Sequence, residues 1–169
     1  EKEGMVYSTE ASLKKAYDDA RAEKIEAYVD NVKQEPLIAE QPKAGKIVSE
    51  KENAKFGYKE LTLSNGARVL LKKTNLKEGE VLFNGSSKGG KSLYDAKERV
   101  NLDLFNAVIS YSGLGNFSST ELQKVLAGKN ANVNLSLANL HEYVSGSCTP
   151  KDMETMFQMN YLYFTNIKK

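Results

Sequence analysis

YKELTLSNGARVLLKKT, residues 58–74, alternates apolar and polar side chains on both sides of Asn65-Gly66. A period of two puts every second residue on one face of a strand, and Asn-Gly readily supplies the backbone of a two-residue hairpin turn. The stretch therefore predicts a pair of antiparallel strands. GEVLFNGSS (79–87) reads as a third strand running into a Gly-rich turn, and ANVNLSL (131–137) and EYVSGSC (142–148) read as two more.

Helices fall between and after these strands. In residues 98–112, Val100, Leu104, Phe105, Val108, Ile109 and Tyr111 span a wide apolar arc. Arg99, Asp103, Asn106 and Ser110 leave only a narrow polar stripe, so a mostly buried helix is expected. Gly113 is placed to stop it. Ser118 and Glu121 make a capping-box start for a short helix ended by Gly128. Thr149-Pro150 opens a last helix through Met153, Met156, Phe157, Tyr161 and Phe164, with Asp152 three residues after the cap. Strands joined by tight turns, with helices gathered between them, predict an α+β domain with a mixed, largely antiparallel sheet.

Upstream, residues 9–33 repeat Leu13, Tyr17, Ile25, Tyr28 and Val32 at helical steps behind a cap at Ser8 or Thr9. Residues 34–57 hold two of the three prolines, scattered charge and no period, and read as an extended linker. The expected organisation is a terminal helix of a preceding domain (1–33), a linker (34–57) and a domain from residue 58 to 169.

Composition excludes several function classes. The net charge is +2; residues 1–57 carry 10 Lys/Arg against 12 Asp/Glu, and residues 58–169 carry 14 against 10. No clustered basic face for nucleic acid emerges. No apolar run is long enough to span a bilayer, so no membrane partner is expected. The single Cys148 cannot form an internal disulfide, and one Cys with one His is too little for a zinc site built from this chain.

GSSKGGKS, residues 85–92, matches the phosphate-loop pattern G-x-x-x-x-G-K-[ST], with Lys91 and Ser92 in the roles that would reach phosphate and magnesium. The setting is wrong, however. A hairpin precedes it where a parallel βαβ unit is needed, and no apolar run ending in Asp follows to complete a magnesium site. A structural turn is the expected reading, with Asn84, Lys88, Lys91 and Ser92 around it as polar groups able to touch a peptide or anion. His141-Glu142 is the one His–carboxylate pair and has no third ligand, so it reads as a loop or strand-edge feature.

Several stretches together resemble the insulinase/pitrilysin family of zinc metallopeptidases: EPLIAEQPKAGKIV, the hairpin above, VLFNGSSKGGKSL, SGLGNFSSTELQKVLAGK and GSCTPKDMETMFQMNYLYFT. The likeness is to bacterial members built of two similar halves, in which an LxNGxxV hairpin like LSNGARV opens each half. It implies a partial LuxS/processing-peptidase-like metallohydrolase domain. In the catalytic half of such enzymes a helix carries H-x-x-E-H, whose two His bind zinc and whose Glu activates water.

Matching Tyr111-Ser112-Gly113 and Asn116-Phe117 to the family's aromatic–x–Gly and Asn-Phe places that motif at residues 104–108. Leu104 and Val108 then replace the His ligands and Ala107 replaces the base. The resemblance thus implies the non-catalytic half, with no catalytic residue and no zinc in this segment, and zinc in the catalytic half of the parent. It also implies that the inactive half closes over the active half and encloses peptide substrates, with residues 34–57 joining the halves.

ANVNLSL corresponds to the strand that pairs with bound peptide in active halves, which singles out Asn132, Val133 and Asn134. A full domain of this family would continue beyond Lys169. An incomplete sheet would leave an edge able to pair with another chain and form a dimer. The alternative is an inactive subunit or structural core protein that partners a separate catalytic chain; a phosphate-loop nucleotide binder ranks below both. A periplasmic or envelope location is what the resemblance implies.

Overall fold

The computed structural model describes residues 5–27 and 33–168. The chain divides into two compact units, Glu1–Asn31 and Val32–Lys169. In the first, helix α1 spans Glu10–Ala22, and Thr9 caps it by accepting the Ser12 N–H at its Oγ1 (3.2 Å). Arg21 lies over the Tyr17 ring, and no residue of the helix is buried. The helix is shorter than its sequence pattern: Ile25 lies past its end. Tyr28 and Val32 fall outside the described residues.

The second unit starts with a three-stranded antiparallel meander, β1 (Ile47–Asn53), β2 (Tyr58–Leu63) and β3 (Arg68–Leu71). The β2–β3 turn is one residue longer than the expected Asn-Gly pair. Gly66 N–H donates to Leu63 O and Leu63 N–H to Ala67 O, both at 2.9 Å, so Ser64 joins the loop and Gly66 takes φ +85°. This is the three-residue hairpin, a type I turn closed by a left-handed glycine. Residues 34–57 are more structured than a linker: Ile38 is 8% exposed in the core and β1 pairs along the whole of β2. The sequence concealed this because β1, IVSEKEN, is mostly polar and exposed.

The second sheet orders its strands β4 (Val81–Lys88), β7 (His141–Cys148) and β6 (Ala131–Leu137), again antiparallel. In place of the single sheet expected, the described strands form three antiparallel sheets. On one face of the second, the register aligns Val81, Phe83 and Gly85 with Cys148, Gly146 and Val144, and these with Ala131, Val133 and Leu135. Helix α4 (Met153–Thr165) lies on this face through Met156 and Met159, and Phe157 meets Phe83 edge-to-face at 5.5 Å. Its entry is fixed by the buried Asp152, whose carboxylate accepts from Asn130 N–H (2.9 Å) and Thr149 Oγ1 (2.7 Å).

Helix α2 (Arg99–Tyr111) packs along β6 and feeds β5 (Gly113–Leu114), which pairs with β8 (Ile167–Lys168) after α4. Between β5 and helix α3 (Ser119–Val125) the chain folds back on itself. Leu114 N–H donates to Phe117 O (3.0 Å) and Phe117 N–H to Leu114 O (2.9 Å). Gly113 is required there, since a Cβ would sit 2.0 Å from Phe117 O. Leu114, Phe117 and Met156 are sealed from solvent and form the centre of the core with Val133, Cys148, Met159 and Leu162. The expected capping box of α3 is formed in both directions by Ser118 and Glu121.

Met156→Ala would delete a fully buried side chain between helix and sheet. It is expected to cost about 2–5 kcal/mol, read as a lower denaturant midpoint at unchanged slope.

Candidate functional site

The Gly-rich turn is spent on the protein itself. Gly89 N–H donates to Leu140 O (2.8 Å), Lys91 N–H to Ala138 O (2.9 Å) and Ser92 N–H to Asn139 O (2.9 Å). Gly90 N–H donates to Glu142 Oε1 (2.9 Å). Lys91 pairs with Asp103 at 2.5 Å, and Ser92 Oγ donates to Gly89 O at 2.6 Å. A phosphate loop works by pointing free N–H groups at its ligand; here all four are taken by carbonyls and a carboxylate. The residues from Gly85 to Lys88 also lie in the extended strand β4. The nucleotide-binding alternative therefore loses its donors, and the turn instead docks β4 onto the β6–β7 connection.

Glu142 is the residue that sequence reasoning undervalued. It faces away from His141, as neighbours on a strand do, and accepts from both Ser87 Oγ and Gly90 N–H. The Ser87 hydroxyl, then the Gly90 amide, holds its carboxyl below the usual range. His141 stacks on Tyr143 at 5.8 Å, so the His–carboxylate pair is split between two faces. The signal was in the alternation of HEYVSGSC, which places a carboxylate in line with Val144, Gly146 and Cys148.

Leu104, Ala107 and Val108 come together on α2, but they are not buried. Leu104 is 55% and Val108 59% exposed, with Val100 and Tyr111 on the same side. Only Ile109 is buried, with Leu102 and Phe105 half-buried on the opposite side. The expectation of a mostly buried helix is corrected: the helix has two apolar faces, and the sheet covers one. None of the three exposed side chains has a donor atom for a metal, so this face does not fit zinc. Among the described residues no three His, Cys, Asp or Glu gather into a metal-binding group.

β6 lies at the edge of its sheet, with Asn132 and Asn134 exposed and Val133 buried. An apolar cavity of about 420 Å³ opens beside it, walled by Leu102, Phe105, Leu135, Val144 and Phe164. At the other end of the core, Lys33 bonds Asn116 O (2.8 Å) and pairs with Glu121 (3.1 Å), and Lys168 Nζ donates to the same carbonyl at 2.7 Å.

No protein-family profile matches the chain. It is 28% identical over 131 residues to an Arabidopsis thaliana protein named zinc protease PQQL-like, covering 78% of this chain and 11% of that protein. It is 30% identical over 112 residues to the probable zinc protease PqqL of Escherichia coli, covering 66% of this chain and 12% of that protein. The crystal structure of the periplasmic protease PqqL from Escherichia coli superposes with a TM-score of 0.73 and 25% identity over 94% of this chain and 17% of that one. Over most of its length the chain is thus similar to zinc proteases in sequence and to the periplasmic protease PqqL in fold.

A second solved structure, a mutant of the ferredoxin protease FusC in complex with Arabidopsis ferredoxin, shares the fold at a TM-score of 0.68. It is 15% identical over 95% of this chain and 18% of that one. The chain spans about a tenth of the length of its curated zinc-protease relatives. The expected α+β architecture is the one observed. Among the described residues no helix is long and apolar enough to cross a membrane.

Two outcomes follow from this geometry. Gly90 has φ +59°, and a Cβ there would lie 2.4 Å from Ala138 O and 2.6 Å from His141 N. Gly90→Ala is expected to destabilise by at least about 2 kcal/mol in equilibrium unfolding. Glu121 is held at about 2, against its ordinary 4.5, first by the Ser118 backbone N–H, then by the Ser118 hydroxyl and Lys33. Its folded pKa is depressed, so its contribution is complete above about pH 4.5 and lost as pH falls towards 2. Glu121→Gln is expected to flatten that part of the acid-unfolding curve.

Proposed function

We propose that this chain is a non-catalytic segment of an insulinase-family zinc metallopeptidase that helps to enclose peptide substrates against the catalytic half. The observation that carries the proposal is the α2 face. Where the family's motif would set two His and a Glu, Leu104, Val108 and Ala107 stand together, exposed and without donor atoms. Zinc, on this reading, belongs to the catalytic half, which is the principal partner, and residues 34–57 join the two halves. The free edge of β6 at Asn132, Val133 and Asn134 is the place for a peptide to add as a strand, through backbone hydrogen bonds that need no particular side chain. The same edge can pair isolated chains into a dimer. A periplasmic or envelope location fits the periplasmic relative.

A second reading keeps the same residues and changes the connectivity: an inactive subunit or structural core protein beside a separate catalytic chain. The apolar α2 face favours neither arrangement, because it serves as a contact surface in both.

Metal analysis after equilibration with zinc and gel filtration tests the shared claim. The expected result is far less than one zinc per chain. A stoichiometric zinc that resists the gel filtration would overturn it.

A further inference from the structure

The register of β6 shows which of its backbone groups face outward. Ala138 N–H donates to His141 O at 2.9 Å, at the turn where β6 and β7 begin to pair. Antiparallel bonding alternates, so Ser136, Asn134 and Asn132 turn their N–H and C=O towards β7, and Leu137, Leu135 and Val133 turn theirs to the open edge. The Leu137 N–H does point that way. It donates to Asn106 Oδ1 of α2 at 2.9 Å. Among the described residues, the outward groups of Val133 and Leu135 have no partner.

The Asn106 carboxamide therefore occupies the position that a neighbouring strand's carbonyl would take. It presents the same acceptor in the same direction, from a helix already packed along β6. A strand arriving at Val133 and Leu135 finds free donors and acceptors. One reaching Leu137 must first displace an acceptor already in place, exchanging one hydrogen bond for another with no net gain.

We propose that Asn106 closes one end of the β6 edge, so that a docked peptide strand pairs with Val133 and Leu135 and stops short of Leu137. This rests on the reading of β6 as a peptide-docking edge and adds the residue that limits the ligand. The ligand class is a short extended peptide segment, and lengthening it past Leu137 adds no backbone pairing. Asn106 acts by occupying the ladder, so its role is positional.

Amide hydrogen exchange, followed residue by residue by nuclear magnetic resonance on the whole chain, tests it. The probe is a soluble peptide of alternating valine and threonine with a lysine at each end, long enough to overrun Leu137. In the unaltered protein the peptide is expected to slow exchange at Val133 and Leu135 and leave Leu137 unchanged. In Asn106→Ala, Leu137 should exchange several-fold faster without peptide and become protected when the peptide is added. Asn106→Asp keeps an acceptor and should behave as the unaltered protein, which guards against a fold lost in the alanine variant. Peptide-induced protection of Leu137 in the unaltered protein would overturn the role of Asn106 and leave the docking edge standing. No protection at Val133 or Leu135 in any variant would overturn the docking edge itself, and this inference with it.

Discussion

Leu114 and Phe117 exchange backbone hydrogen bonds across a turn of two residues, and both side chains are sealed from solvent. So tight a reversal inside a core is costly unless its polar groups are satisfied. Gly115 N–H finds Asn166 O at 2.8 Å, and Lys33 and Lys168 both donate to Asn116 O. One turn thus ties the end of α2, the start of α3, the strand after α4 and the entry of the unit to a single point. Met156 and Met159 pack this cluster against the inner face of the second sheet. Loosening the turn would release the position of α2 relative to β6, and with it the geometry of the candidate site.

That geometry gives α2 two separate tasks. Its inner side, Leu102, Phe105 and Ile109, holds the helix on the sheet, while Asn106 bonds the edge of β6. Its outer side carries Val100, Leu104, Val108 and Tyr111 in the open. On the proposed reading, Leu104, Ala107 and Val108 stand where the catalytic half of an insulinase-type zinc protease carries its ligands and base. In this chain they are suited to apolar contact. The glycine turn shows the same economy: a pattern associated with phosphate is held entirely by internal acceptors, with Glu142 at its centre.

Much of the fold was legible because its elements have unambiguous periods or caps. The alternation in ANVNLSL and in EYVSGSC gave β6 and β7 almost to the residue, and the Ser118–Glu121 spacing gave the start of α3. What the sequence hid has a common physical origin, since periodicity measures which side chains are apolar and says nothing of what covers them. The wide arc of α2 was read as burial, whereas a single sheet covers one side only. β1 escaped notice because a polar, exposed strand carries no hydrophobic period. The bonding partners of Asn106 and Glu142 were invisible for another reason. Each depends on a partner far away in sequence, 31 residues for the Asn106–Leu137 bond and 55 for Glu142 to Ser87.

The central claim is that this segment contributes contact and enclosure, with no peptide chemistry of its own. The most direct measurement is a cleavage assay of the purified chain on a mixed library of quenched fluorescent peptides in the presence of excess zinc. The account predicts that the peptides are recovered intact. Zinc-dependent cleavage that a chelator abolishes, and that follows this chain through purification, would contradict it.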